Sequence, residues 1–166
     1  MGSRDLILYL DYDGVLHHAN VEVVPGSIPH IAAPARYTLF QHAPMLEKLL
    51  QPYPDVQIVL STTWAYRYGV ELAAARLPPS LRSRVVGSTF SASLKYLDAF
   101  ACMPRGVQVV EDAKNRKPGD WLAVDDDAED WPKEHRHRLV KTHMHEGISP
   151  PGVQRKLAKK LAELCA

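Results

Sequence analysis

Three short stretches of this chain carry the residue types that do chemistry, and each follows an apolar run. Asp11-Tyr12-Asp13-Gly14 follows residues 6–10, Ser61-Thr62-Thr63 follows residues 56–60, and Asp125-Asp126-Asp127 follows residues 121–124. A second carboxylate cluster needs a reason, because like charges a few ångströms apart repel strongly. A bound divalent cation is the usual reason, and carboxylate oxygens favour Mg²⁺ over softer metals. The hydroxyls of Ser61-Thr62-Thr63 say little by themselves, since such residues are common at strand ends. The tips meet only if their strands are neighbours, since ligand sites of open α/β sheets lie at the carboxyl ends of strands.

The apolar runs have the form of strands buried on both faces. Leu6-Ile7-Leu8-Tyr9-Leu10 is continuous rather than alternating, as are residues 56–60 and 121–124. Residues 139–142 and 85–87 read as two further, shorter strands. Helical patterns lie between them at residues 44–51, 66–77, 105–114 and 151–164; the last places Val153, Leu157, Leu161 and Leu164 on one face. The helix at residues 66–77 is expected to stop at Pro78-Pro79. Alternating strands and helices predict an α/β layered fold with a mainly parallel sheet. Residues 15–41 break this rhythm with Pro25, Gly26, Pro29 and Pro34, and are read as a flap over the end of the sheet.

Composition narrows the class. The 166 residues carry 20 Lys and Arg against 19 Asp and Glu, a formal charge of +1, which argues against a histone-like polyanion binder. A hydrophobic share of 46% is too high for a disordered chain. At this length roughly 70% of the unfolded surface can be buried, so residues 1–166 are expected to form a single domain without disulfide staples. No apolar run approaches the ~20 residues of a membrane-spanning helix. The start has no secretory pattern, and Cys102 and Cys165 form no metal-binding spacing, with Cys102 read as an inert core thiol. The expectation is a cytoplasmic protein with no membrane partner. The charge is uneven, however. Nine of the 19 acids lie between Glu111 and Glu134, whereas from Val56 to Leu97 a single acid, Glu71, stands against Arg67, Arg76, Arg82, Arg84 and Lys95. That basic flank is expected to steer an anionic substrate.

The stretches Leu8 to Leu16, Ile58 to Thr62 and Leu122 to Asp126 together resemble the haloacid dehalogenase (HAD) superfamily of phosphohydrolases. Trp64, Arg105-Gly106, the Asp125 triplet and the tail from Leu139 to Ile148 further resemble the small HAD domain of Swiss Army knife RNA-repair proteins. The resemblance implies a Rossmann-like three-layer sandwich and a Mg²⁺-dependent phosphatase. It implies that Asp11 is the nucleophile that forms an aspartyl-phosphate and Asp13 the general acid/base. Mg²⁺ would be held by Asp11, the backbone carbonyl of Asp13 and Asp126, with Asp125 orienting. Thr62 would bind a phosphoryl oxygen, with Ser61 and Thr63 as neighbours. The amide of Tyr12 would meet the phosphate, and Gly14 would let the backbone turn tightly past it. The superfamily also needs a cation on the phosphoryl group. Arg105 is the first choice, and Lys117, Lys114 and Lys95 are its rivals. The two gaps between the motifs are too short for a separate cap domain, which implies an open site. A phosphorylated nucleic-acid end or a nucleotide is among the substrates implied, and a repair-complex partner is among the partners.

Other readings compete. A non-catalytic HAD-like module would bind phosphate or a partner, but would need neither Asp11 nor Asp13. A phospho-acceptor receiver domain expects an acidic pair at the first tip and a Lys at the last, which fits less well. The pairs His135/His137 and His143/His145 could suggest a transition-metal site if extended, but surface loops carry histidine freely and no cysteine accompanies them. His17 and His18 could contact a substrate but are assigned to the flap, Trp64 and Trp131 to packing rather than base stacking, and Arg155, Lys156, Lys159 and Lys160 to the solvated face of the last helix rather than a nucleic-acid contact.

Overall fold

A computed structural model of the chain describes residues 5–90 and 96–166. In chain order the elements are β1 (Leu6–Leu10), β2 (Val21–Glu22), β3 (His30–Ile31), α1 (Ala43–Leu50), β4 (Val56–Leu60), α2 (Thr63–Tyr68), α3 (Val70–Ala74) and α4 (Pro79–Arg82). They continue with β5 (Val85–Ser88), α5 (Leu97–Ala101), α6 (Arg105–Arg116), β6 (Asp120–Asp125), a 3₁₀ helix at Lys133–Arg138, β7 (Leu139–Lys141) and α7 (Pro151–Leu164). Five strands form one sheet in the order β5-β4-β1-β6-β7, and every pair is parallel. The three strands that end in functional residues are therefore the central three.

The continuous apolar runs are explained by cover on both faces. Ile7 and Tyr9 of β1, Val59 of β4 and Ala123 of β6 pack with Val109, Val110 and Ala113 of α6 and with Trp131. The alternate residues Leu8, Leu10, Ile58, Leu60, Leu122 and Val124 pack with Leu46 and Leu50 of α1 and Leu157 and Leu161 of α7. Each strand thus buries both of its side-chain rows, which gives the three-layer, Rossmann-like α/β sandwich that the sequence suggested. At Tyr9 the polar end of a buried ring also finds a partner, donating its hydroxyl to Asp112 Oδ2 of α6 at 2.7 Å.

Two expectations need correction. The helix predicted for residues 66–77 is two short helices, because Gly69 takes φ +83° between α2 and α3. α2 starts earlier than expected, since the Thr62 hydroxyl accepts the Trp64 N–H and caps it. The flap is also shorter than residues 15–41. Val15, Leu16, His17 and His18 are buried, and they are tied down by Ile148 N–H to the Val15 carbonyl and His42 N–H to the Leu16 carbonyl. What projects is the hairpin of β2 and β3 and the turn between them, where Val24 and Ile28 are exposed. Among the described residues no helix is long and apolar enough to cross a membrane.

Candidate active site

Register decides which side chains meet. The ladders pair Leu10 with Leu60 on one side and with Val124 on the other. They continue one step further, through Ser61 N–H to the Leu10 carbonyl at 2.9 Å and Asp11 N–H to the Val124 carbonyl at 3.2 Å. Asp11, Ser61 and Asp125 therefore leave the sheet at one level. Leu10, Leu60 and Val124 face α1 and α7, so the residues that follow them turn to the opposite face, where α6 packs. Tyr12 turns back the other way. Its ring is buried and its hydroxyl donates to the Ala73 carbonyl at 2.8 Å. Its amide, expected to meet the phosphate, donates instead to Asp11 Oδ1 at 2.8 Å and fixes that carboxylate.

Asp11, Asp125 and Asp126 each offer an oxygen, and the three oxygens lie within 4.8 Å of one another. Among the described residues this is the cluster with metal-ligand spacing, and no histidine belongs to it. Asp125 Oδ1 accepts the Asp127 N–H at 3.0 Å, while its Oδ2 is buried with no hydrogen-bond partner. A buried carboxylate oxygen that accepts no hydrogen bond and faces two others fits a cation of the Mg²⁺ kind. Burial first, then the Asp11 carboxylate, pushes Asp126 up to about 6 and holds Asp125 well above the usual carboxylate range. Asp11 is raised by burial too, with Arg105 pulling in the other direction.

Gly14, expected at the phosphate, has a more specific duty. It sits at φ +72°, and a Cβ there would overlap the Asp126 carboxylate. The absence of a side chain is what lets the third tip close over the first. The turn is pinned from β7 as well, where the Thr142 hydroxyl donates to the Gly14 carbonyl at 2.5 Å.

Arg105 opens α6 and reaches down to the carboxylates. Its Nη2 lies 3.9 Å from Asp11 Oδ1 and its Nε 3.6 Å from Asp125 Oδ2, ion-pair distances rather than hydrogen bonds. Its Nη1 is buried without a partner. Burial works against the guanidinium charge, but Asp11 and Asp125 outweigh it and strengthen its hold on the proton. Lys117 must be withdrawn as a rival. α6 runs antiparallel to the strands, and at about 1.5 Å per residue its length carries Lys117 roughly 18 Å away, beside Gly119 and the start of β6. Lys114 points into solvent near the same end and pairs with Glu111. Lys95 lies outside the described residues.

The hydroxyl tip also changes rank. Thr62, the residue favoured for phosphate, faces the α1 side, away from Asp11, and its oxygen caps α2. Ser61 shares the face of Asp11, and its Oγ is buried without a partner. Thr63 is exposed in the first turn of α2. Strand sequence alone does not reveal this, because it shows the tip but not which residue is in register with Asp11.

Asp13 stands at the rim, its side chain 30% exposed. Two residues that sequence reasoning gave to the flap and to packing reach it. His17 Nε2 lies 2.8 Å from Asp13 Oδ1, and Trp64 Nε1 donates to the same oxygen at 2.9 Å. The available signals were weak, a histidine four residues past Asp13 and a tryptophan in the first turn of α2.

Three smaller expectations also shift. His135 and His137 sit on a 3₁₀ helix instead of an extended strand, and the His143 ring nitrogen Nδ1 accepts the backbone N–H groups of His145 and Glu146. The basic flank is not one surface. Arg84 is spent on the Tyr53, Val56 and Leu50 carbonyls at the far end of the sheet, and Arg76 lies over the Phe40 and Trp64 rings. Cys102 is exposed, not a core thiol.

A family model described as the HAD domain in Swiss Army Knife RNA repair proteins matches residues 7–153. No curated protein and no solved structure matches. The match spans most of the chain, including all three tips, and the chain belongs to this HAD domain family.

Proposed function

We propose that this HAD-family domain is a Mg²⁺-dependent phosphohydrolase that works through an aspartyl-phosphate on Asp11. The observation that carries the reading is the convergence of Asp11, Asp125 and Asp126 within 4.8 Å, with the buried Arg105 guanidinium 3.9 Å from Asp11 and 3.6 Å from Asp125. Asp11, Asp125, Asp126 and the backbone carbonyl of Asp13 would hold the cation. When bound, Mg²⁺ offsets the repulsion between the nucleophile and a phosphate dianion. The chain's own groups do the rest. Arg105 and Ser61 supply donors to the phosphoryl oxygens. A carboxylate oxygen of Asp11 attacks phosphorus as the leaving oxygen departs with a proton from Asp13. Asp13 then takes a proton from the water that attacks phosphorus and releases Asp11. The family description makes a phosphorylated nucleic-acid end the first substrate class to assay. The open site, with no inserted cap between the tips among the described residues, supports a bulky substrate of that kind.

The direct test is hydrolysis of 4-nitrophenyl phosphate and of 3′- and 5′-phosphorylated oligonucleotides, with Mg²⁺ and with a chelator. Turnover of at least one class with Mg²⁺ alone is expected, and equal rates in both conditions would remove the metal. Thermal unfolding adds a pH signature. Asp126 titrates near 6 folded against 3.8 for an ordinary carboxylate, so the folded state binds the extra proton between those values. The stability linked to it is therefore present below about pH 4 and lost as pH rises through about 6. Mg²⁺ needs the deprotonated site, so its stabilising effect should grow between pH 5 and pH 7.5. An equal rise in Tm at both pH values would place cation binding elsewhere.

A further inference from the structure

The contacts of Asp13 form a built device rather than a chance pair. Its Oδ1 receives two N–H groups, from His17 Nε2 at 2.8 Å and Trp64 Nε1 at 2.9 Å. His17 is fully buried and Trp64 nearly so. The Phe40 N–H donates to His17 Nδ1 at 3.1 Å, which makes that nitrogen the acceptor and assigns the ring proton to Nε2. Phe40 does this from φ +57°, a left-handed conformation that non-glycine residues seldom adopt and that clusters at functional sites. Its ring packs edge-on against His17, Tyr12 and Trp64, with centroids 4.8, 5.0 and 5.4 Å away. Neither donor ring can therefore turn away from Asp13 without disturbing the others. Asp13 Oδ2 accepts no hydrogen bond from the described residues.

We propose that His17 and Trp64 are positioning residues for Asp13, holding Oδ1 with paired N–H donors so that Oδ2 is the oxygen that exchanges the proton. The proposal rests on the acid/base reading of Asp13. In the first step Oδ2 gives its proton to the leaving oxygen while the bond from phosphorus to that oxygen breaks and the bond to Asp11 forms. In the second step water's oxygen bonds to phosphorus, the bond to Asp11 breaks, and the water proton passes to Oδ2. A carboxyl group free to rotate would present either oxygen at varying distance, and proton transfer needs hydrogen-bond reach.

Leaving-group dependence separates this role from a structural one. A nitrophenolate departs with little protonation, whereas an alkoxide needs the proton, so kcat/KM is measured on 4-nitrophenyl phosphate and on phenethyl phosphate. Trp64→Phe keeps the packing and loses the N–H, and His17→Leu loses the other donor. Each should lower kcat/KM on the alkyl substrate roughly tenfold or more beyond its effect on the aryl one. His17→Gln, which can present an amide N–H from the same place, should recover part of the difference. Equal losses on both substrates, or none, would overturn the proposal. Asp13→Asn in the same assay keeps the two readings apart. If it lowers the alkyl-to-aryl ratio while the Trp64 and His17 variants do not, only the positioning falls; if it leaves the ratio unchanged, the acid/base role falls too. Should His17→Leu not fold, Trp64→Phe carries the test. The Trp64 indole N–H resonance should also move upfield in Asp13→Ala whether or not substrate is turned over, and an unmoved resonance would remove the contact itself.

Discussion

Asp11→Asn is expected to lower kcat/KM by about ten-thousand-fold or more at saturating Mg²⁺, while leaving the protein at least as resistant to heat as the wild type. The first effect follows from the site. Asp11 is the carboxylate at which the β1 tip, the Arg105 guanidinium and the Asp125 side chain meet, and an amide at that position can neither attack phosphorus nor be released by water. The second follows from electrostatics. Asp11 is buried beside two other carboxylates and is the neighbouring charge that, after burial, raises both of them. Removing its charge relieves that repulsion, so chelator-treated Asp11→Asn should unfold at a temperature no lower than the wild type at pH 7.5. Mg²⁺ should stabilise the variant less, because one of its carboxylates is gone. Activity loss with a lowered Tm would instead mean a damaged fold.

Arg105→Met carries the second largest effect. Its Nη2 lies 3.9 Å from Asp11 Oδ1 and its buried Nη1 has no hydrogen-bond partner, so the guanidinium can donate where a phosphoryl group would add negative charge at Asp11. Loss of a buried donor at developing charge costs roughly a hundred- to a thousand-fold in rate, so a fall of that size in kcat/KM is expected. Mg²⁺ should move the opposite way. The guanidinium lies within 4 Å of both Asp11 and Asp125 and competes with a cation for them. Its removal should leave half-saturation at a lower Mg²⁺ concentration, even as turnover falls. Arg105→Lys keeps the charge without the fork and should lie between the two. If Arg105→Met weakens Mg²⁺ binding and spares turnover, the residue is part of the metal scaffold and not a phosphate donor.

Much of this was legible in the sequence, for a physical reason. A strand buried on both faces has to be apolar throughout, and a chemical tip has to interrupt it abruptly, so Asp11, Ser61 and Asp125 announce the ends of β1, β4 and β6. The order of these strands was not visible, nor was their register, and register is what ranks Ser61 above Thr62. Helix direction, by contrast, follows from the parallel sheet itself, since a crossover helix has to return the chain. Arg105 and Lys117 are both near Asp125 in sequence, but α6 returns antiparallel to the sheet and delivers Arg105 alone to its carboxyl end. The basic flank is not one surface, because residues that are close along the chain sit at opposite ends of the strands. His17 and Trp64 were the hardest to place. Their meeting at Asp13 depends on how the turn after Gly14 closes and on the left-handed Phe40, and neither leaves a pattern in residue types.

The central claim is that Asp11 becomes phosphorylated. Its most direct test is a single turnover of 4-nitrophenyl phosphate with excess enzyme and Mg²⁺, quenched in acid and followed by mass spectrometry of the peptide that holds Asp11. A phosphoryl mass increment on Asp11 that appears during nitrophenolate release, decays with phosphate release and is sensitive to hydroxylamine is the predicted result. Nitrophenolate release at the wild-type rate with no increment on Asp11 at any time point would contradict the account.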